Sequence, residues 1–122
     1  MKTITINGEE YTRTADIINN TPAKSLDGMP YVLVRADRAG VFVGYLKSKE
    51  CTTVVLNQCR RLWYWDGASS ISEIAVHGVS KPENCKFPVE VTEIDIMGVI
   101  EILQVTEEAR LNISQVPVWT QN

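Results

Sequence analysis

From Tyr31 to Glu50 the chain reads YVLVRADRAGVFVGYLKSKE. No other stretch restricts the fold as much. Apolar, largely β-branched and aromatic residues stand on both sides of a break at Arg38–Gly40, so the run reads as two strands joined by a tight connection. Tyr31, Leu33 and Arg35 share one strand face; Val32, Val34 and Ala36 take the other.

More strands follow. TTVVLNQCRRLWYW is a longer β-rich run with a bend near Asn57. VEVTEIDIMGVIEILQV gives two further strands broken around Met97-Gly98. Upstream, KTITINGEEYTR alternates polar and apolar residues about Asn7-Gly8, the signature of a hairpin with a type I′ turn, so residues 1–13 read as an N-terminal β-hairpin. Residues 14–30 carry turn formers and read as a helical turn near Asp16 followed by an irregular loop.

Two helices have start signals. Ser70 and Glu73 form an S-x-x-E capping box, with Ile71, Ile74 and Ala75 facing inward and Gly78 as the stop. Thr106 caps a last helix, with Glu107 and Glu108 against its N-terminal dipole, Ala109, Ile113 and Val116 on its apolar face, and Pro117 ending it. The expected fold is α+β: a mostly antiparallel sheet with two short helices, in one domain spanning residues 1–122.

Composition narrows the function classes. A net charge of -3 argues against binding duplex DNA through phosphate contacts, yet leaves room for a local cationic pocket. No apolar run approaches the length of a membrane span and no signal peptide is evident, so the expected location is a cytosol. Cys51, Cys59 and Cys85 are odd in number and lack C-x-x-C spacing. They read as free thiols rather than as a disulfide framework or, with His77, a zinc site, and no metal or cofactor is expected. His77 stands at a helix C-terminus with no nucleophile motif beside it, where it serves the dipole or is solvated. Glu93 and Asp95 share a strand face and read as solvated. No enzymatic constellation emerges.

The segment RRLWYWDG gathers Arg60, Arg61 and two of the three tryptophans within eight residues. Extended, it places Arg61, Trp63 and Trp65 on one face and Arg60, Leu62 and Tyr64 on the other. An arginine beside two indoles suits a nucleotide, with aromatic planes for a base and a guanidinium for phosphate. The same residues also suit a core or oligomer contact in which arginine lies flat on tryptophan. Arg35 closes an apolar strand and faces either the sheet edge or a cleft. Arg110 lies in the first turn of the last helix, where it either pairs with a nearby carboxylate or joins the backbone amides in holding an anion. Phe87 is either a stacking lid or a loop anchor.

The blocks RRLWYWDGASSISEIAVHG, KPENCKFPVEV, IEILQVTEEAR and VPVW resemble a family of small phage and prophage proteins that includes the Thoeris anti-defence 1 sponges. The resemblance covers about Tyr31 to Trp119. It implies a protein that sequesters cyclic ADP-ribose-type signals made by bacterial TIR-domain enzymes, glycocyclic ADP-ribose in particular, with cyclic oligonucleotides as further ligands. It implies no cleavage, a homo-oligomer (a dimer or higher, up to a hexamer) with pockets near subunit contacts, and action in the cytoplasm of the infected bacterial host. The residues it marks for the ligand are Arg35, Arg60, Arg61, Trp63, Trp65, Phe87 and Arg110, with strand parity favouring Arg61 beside the tryptophans. The competing expectation is a structural or protein-interaction module of a phage with no small ligand. An ADP-ribose hydrolase or phosphodiesterase would need a metal set that the sequence does not offer.

Overall fold

Five antiparallel strands in the order β4-β3-β2-β1-β5 form the frame: β1 Tyr31–Ala36, β2 Gly40–Glu50, β3 Thr53–Arg61, β4 Val91–Ile96 and β5 Val99–Gln104. The computed structural model describes residues 21–121. Two helices complete the α+β fold, α1 Ile71–His77 and α2 Glu107–Ser114. The expected N-terminal hairpin about Asn7-Gly8 and the turn near Asp16 lie outside the described residues.

Topology forces the sheet to curl. β4 and β5 occupy opposite edges, yet only Met97 and Gly98 separate them in sequence. In a flat sheet five strands wide the edges stand about 19 Å apart, whereas this link spans about 11 Å at most. The bend is made inside the β2–β3 hairpin. Val43 pairs with Arg60 and Tyr45 with Asn57, so β3 carries one extra residue, a bulge at Gln58 with φ 50°. Across from it Gly44 leaves little room for a side chain: a Cβ would stand 3.0 Å from Asn57 O and 3.2 Å from Cys59 Cα. Beyond this corner the hairpin folds back until Thr52 O accepts a hydrogen bond from Val99 N at 2.9 Å.

Curling gives the sheet two buried faces. The concave side encloses Val32, Val34, Phe42, Val54, Leu56, Cys59 and Ile96. The other side is covered by both helices, burying Leu33, Val43, Leu62, Ile74, Phe87, Val105, Ala109 and Ile113. β1 is therefore buried on both faces, with Leu33 and Val34 wholly inaccessible.

The helices start as their caps predict. Ser70 Oγ accepts from Glu73 N at 3.2 Å, and the Glu73 carboxylate accepts from Ser69 N. Thr106 Oγ1 accepts from Ala109 N at 3.1 Å and donates to Val76 O at 2.6 Å, so this cap also ties α2 to the end of α1. α2 ends at Ser114, before Pro117. The β-run expected to reach Trp65 ends at Arg61; Tyr64 instead forms an isolated bridge with Lys86, whose carbonyl also accepts from Trp63 N at 3.2 Å.

Candidate functional site

The bulge at Gln58 sets which way every later residue of β3 points. Val54 and Leu56 face the concave core, and the extra residue lets Cys59 face it too. Arg60 then turns to the helix side and Arg61 to the concave side.

Arg60 is 7% exposed and fully engaged. Its Nη1 donates to Ile113 O and Val116 O at 3.0 Å each, and its Nη2 donates to Phe87 O at 2.9 Å and Pro117 O at 3.5 Å. Nε donates to Pro88 O at 3.5 Å. Each of the five guanidinium N–H groups thus has a backbone carbonyl. A cation at the C-terminal end of α2 also complements the helix dipole. Burial lowers the Arg60 pKa, while the nearby Tyr31 and Glu90 raise it. Arg60 has no donor left for a ligand; it is a brace that fixes the C-terminal tail and the Phe87–Pro88 loop.

Phe87 lies beneath that brace with its ring 5.5 Å from the Arg60 guanidinium carbon and no exposed surface. It anchors the loop in the core and cannot act as a stacking lid. Arg61 is on the opposite face, 4.5 Å above the Phe42 ring and donating to Ala39 O at 2.8 Å. The expected grouping of Arg61 with Trp63 and Trp65 does not form, because the strand ends at Arg61. Trp65 packs against the helix-side core, and Trp63 is 59% exposed and stacks on Trp119 with ring centroids 5.2 Å apart. Arg35 pairs with Glu101 at 3.1 Å on an exposed part of the sheet and is not in the lining shared by Arg60 and Arg110.

Arg110 has the carboxylate partner that its helix position called for. Its Nε and Nη2 donate to the two oxygens of Glu107 at 3.1 and 2.7 Å. The Arg110 hydrogen bonds, with a further bond from Lys24 N, pull the Glu107 pKa down to about 2. Glu107 in turn raises that of Arg110, with a contribution from Tyr45.

Arg60 and Arg110 are the two expected residues that the fold brings together. They line a half-open pocket of about 240 Å³ between the sheet and α2, with Tyr31, Tyr45, Gln58, Glu90, Ser114, Val116 and Val118. Tyr31 and Tyr45 meet edge to face, with centroids 4.9 Å apart. Burial pushes the Tyr31 pKa well up, so its phenol stays neutral. Gln58, exposed at the bulge, reaches this pocket from a backbone conformation that side chains rarely adopt. The lining offers Arg110, phenol, amide and hydroxyl groups around one carboxylate, Glu90. It contains no histidine and no thiol, and Ser114 Oγ is committed to Leu111 O at 2.7 Å. The lining is polar, with the charge of Arg110 shared with Glu107.

Sequence reasoning missed Tyr31, Tyr45, Gln58 and Glu90. The tyrosines had a signal: a connection centred on Arg38 sets Tyr31 opposite Tyr45, the observed register. Gln58 sits at the bend expected near Asn57, but no local signal marked its left-handed conformation.

On the far side of the C-terminal tail, Lys86 Nζ stands 5.3 Å from the Trp63 ring, 5.7 Å from Tyr64 and 5.6 Å from Trp119. His77 Nδ1 lies 3.4 Å from Glu108, outside the pocket. Cys51 is exposed in the β2–β3 turn, and Cys59 and Cys85 belong to different cores. Among the described residues no helix is long and apolar enough to cross a membrane, and no three His, Cys, Asp or Glu side chains group as metal ligands.

No curated protein and no solved structure matches the chain. The profile of one protein family does match, over residues 29–113, which takes in all five strands, both helix starts and most of the pocket lining. The chain belongs to the family described as a domain of unknown function, DUF6948.

Proposed function

We propose that the pocket between the sheet and α2 captures a small phosphate-bearing ligand without cleaving it, and that this ligand is a cyclic ADP-ribose-type signal. The first half rests on one observation: a bulge residue in a strained conformation, Gln58, converges with Arg110, Tyr31 and Tyr45 on one pocket. Strain held in place at a pocket marks a site where side-chain direction matters more than local stability. Retention without cleavage is part of what the sequence resemblance implies, and the committed Ser114 hydroxyl supports it. The identity of the signal rests on the sequence resemblance. The same resemblance supports a homo-oligomer in the cytoplasm of an infected bacterium. A cavity of about 240 Å³ lies below the usual range for a drug-sized ligand. A dinucleotide-sized signal would extend beyond it, where a second subunit can cover the remainder.

The test is calorimetry of the full chain against glycocyclic ADP-ribose isomers, cyclic di- and trinucleotides and linear ADP-ribose, with mass spectrometry of released ligand. One cyclic compound should bind tightly and be recovered intact. Arg110→Ala and Tyr45→Phe should each weaken it by about tenfold or more. A panel with no binding, or recovery of a hydrolysed product, would remove this reading.

A second reading has its own support. Trp63 and Tyr64 are 59% and 51% exposed beside Trp119, and aromatic residues of this kind are enriched at protein interfaces. In that reading the domain is a protein-interaction module with no small ligand, and the same panel would stay flat.

A further inference from the structure

We propose a second binding site, on the concave face of the sheet and independent of the pocket beside α2, that takes a medium-chain monocarboxylate with its head group on Arg61. A groove there has two lobes, of about 370 and 160 Å³, which share Phe42, Arg61 and Ile94. Arg61 therefore stands at the junction between them.

Three observations define the ligand. First, the guanidinium is held in place, flat on Phe42 at 4.5 Å and tied to Ala39 O at 2.8 Å, and it has no carboxylate partner among the described residues. A fixed guanidinium with a free edge matches the two oxygens of one carboxylate. Secondly, the smaller lobe is lined by Pro88, Val89 and Val91 as well as Phe42, Ile94 and the buried Cys59, a hydrocarbon surface. An apolar void of about 150 Å³ accommodates benzene, so this lobe suits a chain of about six carbons. Thirdly, the larger lobe carries Asp37 and Asp95 beside Arg38. Those two carboxylates oppose a multiply charged head such as a phosphate and leave a single negative charge as the best match to Arg61. The Phe42 face is already covered by Arg61, so a nucleobase has no ring to stack on here.

Hexanoate is the probe, with hexan-1-ol and acetate as controls, followed by amide chemical shifts of the full chain. Hexanoate should move the signals of Phe42, Arg61 and Ile94 and bind at least about tenfold more tightly than either control. Arg61→Gln should reduce hexanoate binding to the level of hexanol and leave hexanol unchanged, with Arg61→Lys in between. Val91→Asp should lose both. The comparison of the three probes on the unaltered protein stands even if a variant misfolds. Equal binding of hexanol and hexanoate, unchanged hexanoate binding by a folded Arg61→Gln, or no shifts at millimolar hexanoate would each overturn the proposal.

Discussion

Arg60 and Arg61 are neighbours in the chain, yet their guanidinium groups lie on opposite faces of one sheet and do different work. Arg60 is buried against five backbone carbonyls, while Arg61 rests on Phe42 in an open groove. Arg60→Ala would leave the Val116 carbonyl without a donor, strip one donor each from Ile113 O and Phe87 O, which keep Val116 N and Trp119 N, and remove a cation from the end of α2. Its expected cost is about 3 kcal/mol. Arg61→Ala loses an exposed hydrogen bond to Ala39 O and the cover over the Phe42 ring and should cost less, about 1 kcal/mol. Urea denaturation of both variants measures the difference, and similar midpoints would refute the assignment of Arg60 as the brace.

Arg60→Lys is a sharper version of that experiment. An ammonium has three donors on a flexible stem and cannot reach carbonyls fanned around a planar fork. The substitution keeps the charge but should recover less than half of the stability lost in Arg60→Ala. Full recovery would mean that charge at the helix end, rather than the fan of hydrogen bonds, is what matters.

Much of this architecture could be read from the residues. Strands β1 and β2, the break at Met97-Gly98 and both helix caps carry local signals, since capping and turn chemistry act over three or four residues. Strand parity also separated Arg60 from Arg61 correctly. It failed past Arg61, where the chain leaves the sheet and nothing local announces the exit, and so it placed Trp63 beside the wrong partner. The stack of Trp63 on Trp119 joins residues 56 positions apart. The fan of carbonyls on Arg60 draws on the tail and on the Phe87–Pro88 loop together. Contacts of such range are fixed by the curl of the sheet, which itself depends on one inserted residue at Gln58. Arg110 takes the carboxylate alternative, pairing with Glu107, and it also lines a pocket.

Gly78 closes α1 at φ 82°, and a Cβ there would collide with the Asn112 amide. That amide accepts from Val79 N at 2.8 Å and donates to Val79 O at 2.9 Å, joining the end of α1 to α2 as a strand neighbour would. Gly78→Ala should therefore cost about 3 kcal/mol, from an unfavourable backbone conformation and a displaced clamp. Asn112→Ala tests the clamp alone and should cost about half as much. If thermal unfolding shows Gly78→Ala within about 1 kcal/mol of the parent, the clamp does not hold the helices together.

The Glu107–Arg110 pair makes stability depend on acid. Hydrogen bonds from Arg110 first, and then from Lys24 N, hold the Glu107 pKa at about 2 in the folded chain. The unfolded value lies near 4.3. A carboxylate with a depressed folded pKa contributes its full stabilisation above the unfolded value and loses it as pH falls through the folded one. The contribution should thus be complete above about pH 5 and fade towards pH 2, by about 1 kcal/mol once solvent screening is allowed for. Glu107→Gln should flatten this part of the stability profile without changing the neutral-pH fold. An unaltered slope between pH 5 and pH 2 in that variant would show that other carboxylates set the acid response.

Gln58 connects stability to the proposed binding. A left-handed conformation costs a side-chain-bearing residue about 1 kcal/mol that glycine avoids. Part of that gain is returned through the extra freedom of glycine in the unfolded chain. Gln58→Gly should therefore stabilise the protein by about 0.5 kcal/mol while removing one polar group from the pocket. If the pocket beside α2 captures a ligand, that gain in melting temperature comes with weaker binding, and Gln58→Asn, which keeps an amide and tolerates the left-handed region better than most residues, lies between the two. If Gln58→Gly is more stable and binds as well as the parent, the strain serves only the bend of β3. The pocket would then lose the observation that marks it as a site.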